Sequence, residues 1–535
     1  MGAIEHDISM NESENVTQAA GVIGFFTLLS RILGLVRDMV IARFFGSGMA
    51  ADAFFVAFRI PNLLRRLFAE GSLTVAFIPI FTEYLHKKKR EDAFQLARII
   101  ATLLSIILVL VSIAGVLLAP WIVRIQAFGF GGMGDKYELT VLLTRITFPY
   151  IFLISLVALF MGILNSLRHF AAPSAAPIFL NVGIIASTLW IAPHFSQPIV
   201  GTAIGVIIGG LLQVALQIPI VLKKGLSLTP CWMPRHPAVK RIGLLMLPAI
   251  FGSAIYQFNH FIGTLLASFL PEGSISWLYY ADRLVQFPLG VFAIAISTAA
   301  LPSLSKQAAG KDLKDFKATL NHAMGLVFFI SIPSLMGLVI LGKPIIAVIF
   351  ERGAFDGVAT LMTTRALVFY SVGLWAFSGI RVVVAAFYAL QDTKTPVKIA
   401  IASLIANLAL ALLLMGSLAH AGLALALSLA SALQFGLLLS FLKRRIGEWD
   451  LKPILATVWK CALASLLMGF LVNYLRDQWW ADGRNPSELL EIAGLGGIIF
   501  IGAIAYLVLA WMLKCHELGF LLSMVKSSRE QDKSF

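Results

Sequence analysis

The sequence predicts an all-α polytopic membrane protein of about fourteen transmembrane helices. Three observations carry that prediction. Of the 535 residues, 59% are hydrophobic and 13% charged, whereas an ordinary soluble domain is about half apolar and a quarter charged. The apolar residues fall in blocks of about twenty or more, the length of helix that crosses a hydrocarbon core. The blocks are continuously apolar, while the strands of a membrane barrel would alternate in polarity.

In chain order the blocks lie at about 18–45, 50–84, 92–119, 140–167, 173–193, 199–222, 240–270, 274–304, 318–342, 358–390, 395–417, 421–442, 454–475 and 487–513. Residues 1–17 ahead of them are polar and acidic. They lack the basic start of a secretory signal, so the first span is expected to be retained.

Basic residues follow the even-numbered spans, as in Lys87-Lys88-Lys89-Arg90, Lys223-Lys224, Lys240-Arg241 and Lys443-Arg444-Arg445. About 24 of the 42 Lys and Arg lie there or in the tail, against about 6 in the opposite loops. That asymmetry places both termini in the cytoplasm. The net charge of +14 therefore reads as membrane topology, and no nucleic-acid partner is expected. Cys231, Cys461 and Cys515 are far apart without a CxxC, and the nine histidines show no ligand spacing. Neither a disulfide framework nor a metal site is expected.

The chain repeats itself. Ala53-Phe54-Phe55-Val56-Ala57-Phe58-Arg59 parallels Trp277-Leu278-Tyr279-Tyr280-Ala281-Asp282-Arg283, at an offset of 224. Pro79 and Pro302, Pro120 and Pro344, and Pro173 and Pro396 recur at 223 or 224. The period holds six spans, an even number, so the halves are parallel repeats about an axis along the membrane normal. Transporters built this way bind substrate between the halves and alternate access by rocking them. The predicted organisation is an N-terminal extension at 1–17, a first lobe at 18–223, a loop at 224–240 and a second lobe at 241–445. Two added helices follow at 446–514, then a tail at 515–535.

Charges inside the spans are mostly arginine. Arg31, Arg37, Arg43, Arg59, Arg65, Arg66, Arg145, Arg283, Arg365 and Arg381 stand against Asp38, Asp52, Glu70 and Asp282. Each costs about 2.5–3.5 kcal/mol at mid-bilayer on insertion scales, so each needs a partner or a wet cavity. Some have plain structural readings. Arg66 and Glu70 are spaced to pair along a helix, Arg43 can snorkel, Arg145 and Arg365 border spans, and Arg381 can pair within the second half. Arg31 and Arg37 are different, because the equivalent stretch of span 7 carries no charge. In span 2, Asp52, Arg59 and Arg66 recur every seven residues on one face, with Arg65 about 100° away. Guanidinium stays charged and grips phosphate in a bidentate fork, so the cargo is expected to bear phosphate.

Other chemistries lack their residues. There is no GxxxxGK[ST] for a phosphate-binding ATPase loop. The run Gly129-Phe130-Gly131-Gly132-Met133-Gly134 sits in an outside loop and reads as a flexible turn. Short outside loops leave no room for a glycosyltransferase site, so the chain reads as a transporter and not an enzyme. Gly205 and Gly209 form a GxxxG suited to helix packing.

Four segments carry a family resemblance. They are Ser30-Arg31-Ile32-Leu33-Gly34-Leu35-Val36-Arg37-Asp38, the run 52–71 from Asp52 through Arg65-Arg66 to Gly71, Tyr279-Tyr280-Ala281-Asp282-Arg283-Leu284, and Gln391-Asp392-Thr393-Lys394-Thr395-Pro396-Val397-Lys398. The sequence resembles the MurJ/MviN lipid II flippases over essentially its whole length. The resemblance implies a MATE-like fold of two six-helix lobes in a V with two extra helices. It implies lipid II as cargo, the undecaprenyl pyrophosphate that carries the peptidoglycan disaccharide-pentapeptide. Cavity residues of the family fall on Arg31, Arg37, Asp38, Asp52, Arg65 and Arg283, with Arg59, Arg66 and Asp282 secondary. The last two helices would hold the lipid tail. Some members bind sodium in the C-terminal lobe, but span 7 here has no carboxylate.

The expected function is transfer of lipid II from the cytoplasmic to the periplasmic leaflet of the bacterial inner membrane by alternating access. No cofactor is expected, with drive from the membrane potential or a coupled ion. Expected partners are lipid II, membrane lipids and cell-wall synthesis enzymes. Three alternatives stay open: a flippase for another polyprenyl-pyrophosphate oligosaccharide, a cation or drug antiporter of the same fold, and a non-transporting scaffold.

Overall fold

The computed structural model describes residues 2–65, 73–131, 134–310, 312–480 and 487–519, with the backbone alone described at 2–20, 74–75 and 248–256. Every regular element among them is helical. The chain divides into two compact units, Met1–Ile275 with Arg352–Ala354, and Ser276–Glu351 with Phe355–Phe535.

The first unit contains α1 (Gly2–Phe45), α2 (Met49–Leu64), α3 (Thr74–Lys87), α4 (Arg90–Leu117), α5 (Ala119–Gln126), α6 (Asp135–Thr147), α7 (Tyr150–Ser166), α8 (Ala171–Ala186), α9 (Ile199–Lys223) and α10 (Pro237–Ala267). The second begins within α11 (Ser274–Pro288). It continues through α12 (Ile294–Ala309), α13 (Leu313–Phe350), α14 (Gly357–Val372), α15 (Leu374–Ala389), α16 (Lys394–Leu418), α17 (His420–Ile446), α18 (Lys452–Trp480) and α19 (Glu488–Met512).

Ten helical stretches are long and apolar enough to cross a bilayer, or eleven when α14 and α15, bent by 42°, count as one span. The expected fourteen is therefore met for ten or eleven among the described residues. The three others are spans 1, 2 and 7. Span 1 falls on α1, whose apolar run is broken by Arg31, Arg37, Asp38 and Arg43. Span 2 falls on α2 and α3, which flank residues 66–72 outside the described set. Span 7 falls on α10.

The repeat is written into the backbone. Pro149, between α6 and α7, and Gly373, between α14 and α15, break equivalent spans 224 residues apart. Two non-glycine residues close equivalent helices in the left-handed region, Arg168 at φ 58° and Gln391 at φ 57°. Each is followed by the same hydrogen bond, His169 N to Leu164 O at 2.8 Å and Asp392 N to Phe387 O at 2.9 Å. These six-to-one bonds satisfy a carbonyl that the helix end would otherwise leave open. Gly225 and Gly447, 222 residues apart, take positive φ past the ends of α9 and α17.

Helix neighbours match as well. The contacts α3/α4, α3/α7, α4/α7, α7/α9 and α8/α9 reappear as α12/α13, α12/α15, α13/α15, α15/α17 and α16/α17. The α8/α9 contact depends on small residues. A Cβ on Gly183 would stand 2.5 Å from Gly209 Cα, and one on Gly205 would stand 3.0 Å from Gly183 O. The GxxxG motif therefore brings two backbones together, as its spacing predicts.

One helix departs from the sequence repeat. By sequence α10 opens the second half, yet it packs in the first unit and is fastened there at three levels. Arg241 Nη1 meets Glu83 Oε2 at 2.7 Å. Arg59 Nη1 donates to His260 O at 3.0 Å. Gly129 N donates to Ser268 Oγ at 3.0 Å.

Each unit has its own core. In the first, Phe77, Phe81, Leu96 and Ile163 enclose Ala238 and Ile242 of α10. In the second, Phe316, Phe328, Phe387 and Phe435 pack together. The added pair α18 and α19 has a smaller core with α13, built from Phe329, Met468, Ile498 and Tyr506. Their outer faces expose Trp459, Phe470 and Trp511, as suits helices in contact with lipid.

Candidate functional site

Arg37 and Asp38 lie on α1, where it packs against α8. Asp38 is fully buried and Arg37 is 6% exposed. Successive residues on a helix point about 100° apart, so the long arginine must fold back to meet its neighbour. It does so with two nitrogens, Nε and Nη2, which donate to Asp38 Oδ1 at 2.9 and 2.6 Å. Nη1 donates to Asn181 Oδ1 on α8 at 3.1 Å. Asn181 is oriented in turn, because its Nδ2 donates to Ser30 O at 3.1 Å. Gly34 leaves the space for this approach, with Asn181 Nδ2 only 3.7 Å from where its Cβ would be. The result is a guanidinium fixed in plane, with its charge balanced and one corner held by a neutral amide.

A second polar cluster surrounds Asp52, in the first turn of α2 and 1% exposed. Its Oδ2 accepts from Lys136 Nζ at 2.8 Å and from the Gly273 backbone N at 2.9 Å. The Lys136 ammonium also lies 4.4 Å from the centre of the Phe130 ring. Glu272 returns the contact, its Oε1 accepting from Met49 N at 2.7 Å. The starts of α2 and α11 thus cap each other. Each supplies a carboxylate to a backbone N–H at the other's positive end, which is what an uncapped helix start requires.

The other residues singled out by sequence are placed separately. Arg59, half-buried, bonds Thr264 Oγ1 as well as His260 O, so it joins α2 to α10. Arg65 is half-buried at the end of α2, and Arg31 is exposed. Arg66 and Glu70 lie outside the described residues. In the second unit Arg283 is exposed. Its Nη2 donates to Tyr279 OH at 2.7 Å, and its guanidinium lies 5.0 Å from the centre of that ring. Asp282, half-buried, accepts from Gln286 Nε2 at 3.4 Å.

Sequence reasoning missed Asn181, Lys136 and Glu272. Asn181 is one uncharged residue in an apolar span, and nothing local marks it. Lys136 had a signal, because it follows the glycine run by two residues. Of that run, Gly131 takes φ 68°, and the Lys136 ammonium lies over the Phe130 ring while it meets Asp52.

α10 contains neither Asp nor Glu, and no three His, Cys, Asp or Glu converge among the described residues.

Comparison with known proteins bears on this arrangement. Residues 41–530 match the family described as lipid II flippase MurJ. A probable lipid II flippase MurJ of Vibrio cholerae serotype O1 is 38% identical, over 97% of this chain and 99% of the relative. The lipid II flippase MurJ of Burkholderia cenocepacia is 37% identical, over 93% and 98%. Among solved structures, a lipid II flippase MurJ in an inward closed conformation aligns with a TM-score of 0.77 at 29% identity, covering 92% of this chain and 98% of that one. A multidrug-resistance MATE transporter in an inward-facing conformation aligns at 0.68 and 14% identity, covering 80% and 98%. That likeness shows the shared fold.

Proposed function

The chain belongs to the lipid II flippase MurJ family, and from that membership we propose how it carries lipid II across the bacterial inner membrane. It is a multi-pass transporter, not an enzyme. Full-length similarity to named lipid II flippases identifies the cargo. The proposed mechanism rests on the buried guanidinium of Arg37.

In this proposal the pyrophosphate of lipid II binds Arg37 and Arg31 from the cytoplasmic side, with Arg283 supplying the same chemistry from the second unit. Arg37 is suited to the task because Asp38 and Asn181 already hold its fork in one orientation. Ordering the side chain in advance lowers the entropic cost of binding. The contact most readily exchanged is the single one from Nη1 to the neutral amide of Asn181, since Asp38 holds the guanidinium with two bonds and an opposite charge. A phosphate oxygen would take that place, leaving the Asp38 contacts to keep the guanidinium aligned. Asp52 with Lys136 fixes the start of α2, and Arg59 ties α2 to α10, while Arg65 is assigned a further contact to the cargo and Arg66 and Asp282 secondary ones.

The lipid tail is proposed to lie along α18 and α19. Release occurs at the periplasmic leaflet. A negative-inside potential then draws the vacated cationic site back, at about 2.3 kcal/mol per charge per 100 mV. The same reading places both termini in the cytoplasm and cell-wall synthesis enzymes close by.

The test is lipid II accessibility on the outer leaflet after acute depletion of the protein. Restoring the wild type should restore accessible lipid II, and restoring Arg37→Ala, at equal membrane level, should not. Full rescue by Arg37→Ala would remove the pyrophosphate role while leaving family membership intact.

A further inference from the structure

The segment 224–236, between α9 and α10, runs back along α4 as a strap. Arg90 Nη2 donates to Lys224 O at 2.8 Å. Arg98 Nε donates to Thr229 O at 2.9 Å. Cys231 N donates to Thr102 Oγ1 at 2.9 Å. The three anchors span twelve residues of α4, about 18 Å along its axis. One turn beyond Thr102 the helix turns lipid-facing, with Ile106 and Ile107 exposed. The strap therefore reaches the boundary between the polar rim and the hydrocarbon.

At that boundary it presents Trp232, 61% exposed, and then turns back, so that Met233 Sδ accepts from Gln95 Nε2 at 3.7 Å. Trp232, Met233, Pro234, Arg235 and His236 line an open recess of about 570 Å³. Tryptophan at this depth is characteristic of a membrane interface, where its ring is apolar and its N–H wet. Cations flank the strap: Lys223 and Lys224 at its start, Arg98 bonded to its middle, and Arg235 and Lys240 at its end. The acids of this corner, Glu91 and Asp92, lie in the first turn of α4, about 10 Å from Arg98 along the axis. Arg98 uses only its Nε on the strap, and its Nη atoms have no protein partner among the described residues. A guanidinium two turns into a membrane helix needs a counter-charge.

We propose that the strap and Arg98 form a binding site for an anionic phospholipid of the leaflet on the basic-loop side. The headgroup phosphate bridges Arg98 and Arg235, while Trp232 packs on the upper acyl chains. This site is separate from the Arg37 cluster, and it takes a resident lipid, not the cargo.

Native mass spectrometry of the purified full chain in detergent tests it, with phosphatidylglycerol, phosphatidylcholine of the same acyl length and inorganic phosphate as probes. Phosphatidylglycerol should bind at least about tenfold more tightly than phosphatidylcholine, and inorganic phosphate should not compete. Arg98→Gln with Arg235→Gln should weaken phosphatidylglycerol binding about thirtyfold, since each basic side chain beside an anionic leaflet is worth about fivefold. Because Arg98 also holds the strap, a second variant, Trp232→Ala with Arg235→Gln, alters only exposed side chains and should still weaken binding about fivefold or more. Lys314→Gln with Lys398→Gln, at the starts of α13 and α16, should leave it unchanged. Undiminished affinity in both site variants, or equal binding of phosphatidylcholine, would overturn the site. Competition by inorganic phosphate would make it a free-anion site and overturn the lipid assignment. Since the readout is binding without transport, it stands or falls apart from the flippase mechanism.

Discussion

The ammonium of Lys136 lies 2.8 Å from Asp52 Oδ2, and that oxygen also accepts the backbone N–H of Gly273. The corresponding positions of the second repeat, 224 residues on, are Ser276 and Thr360, both buried. One repeat thus fixes its helix start with an ion pair where the other has hydroxyls. A charge pair taken out of water resists the loss of one member more than the loss of both.

Lys136→Met is expected to lower stability by about 3 kcal/mol, because a buried carboxylate loses its counter-charge. Lys136→Arg should recover most of that. The double variant Asp52→Asn with Lys136→Met should be more stable than Lys136→Met alone. Thermal unfolding of the purified protein in detergent reads all three, together with Asp52→Asn alone. A double variant at the sum of the single losses would mean that the pair does not couple.

Arg37 makes a sharper demand on side-chain shape. A lysine keeps the charge but has no planar fork to reach both Asp38 and Asn181. Arg37→Lys should fold, yet bind lipid II about tenfold or more weakly, for the loss of roughly one charge-assisted hydrogen bond. Asn181→Leu should leave binding no weaker, because the contact it removes is the one the phosphate oxygen displaces. Titration of labelled lipid II against the purified variants measures both. Wild-type affinity in Arg37→Lys would mean that charge alone suffices.

The glycine contact between α8 and α9 sets a packing prediction. A Cβ on Gly183 would stand 2.5 Å from Gly209 Cα and 2.6 Å from its N, a clash with backbone that no rotamer relieves. Gly183→Ala should cost about 1–3 kcal/mol through forced separation of the helices. Gly436→Ala, with nothing within 4 Å of the added carbon, should be neutral or slightly stabilising, since alanine is the better helix former. Unfolding midpoints of the two variants make the comparison. Equal midpoints would show that α8 and α9 can part without cost.

How much of this was legible beforehand follows from what each signal depends on. The repeat was readable because Pro79 and Pro302, or Arg59 and Arg283, are local marks at a fixed spacing. The backbone repeats them at Arg168 and Gln391, where two different residues are held in the same strained conformation. The excess of arginine in α1 was readable because charge in an apolar run is conspicuous. Its partners were not. Asn181 becomes important only when α8 crosses α1 beside Gly34. Glu272 lies between spans 7 and 8 in the sequence, and its role appears only where it meets the start of α2 at Met49. The placing of α10 in the first unit was also invisible, because Arg59, Glu83 and Ser268 are unremarkable until they meet His260, Arg241 and Gly129.

The motif around Asp392 yields a prediction in pH. Gln391 ends α15 in the left-handed region, and Asp392 then opens α16, its Oδ1 accepting from Thr395 N at 3.0 Å and its Oδ2 from Thr395 Oγ1 at 2.8 Å. The Thr395 backbone N–H, its hydroxyl and the nearby Arg445 hold the Asp392 carboxyl below its ordinary value of 3.8, against the opposing effect of partial burial. A folded-state value below the unfolded one means that the unfolded chain takes up its proton first as pH falls. The stabilisation is therefore complete above about pH 5, begins to fade near 3.8 and is gone once pH passes below the folded value. Asp392→Asn keeps an acceptor for Thr395 N but carries no charge to titrate, and Asp392→Ala removes the cap outright, at about 1 kcal/mol. At pH 7 the order of stability should be wild type, then Asn, then Ala. Unfolding followed from pH 7 down to pH 3 should show the gap between wild type and Asp392→Asn closing below about pH 4. A gap that stays constant with pH would mean that the ionised carboxylate contributes nothing to this cap.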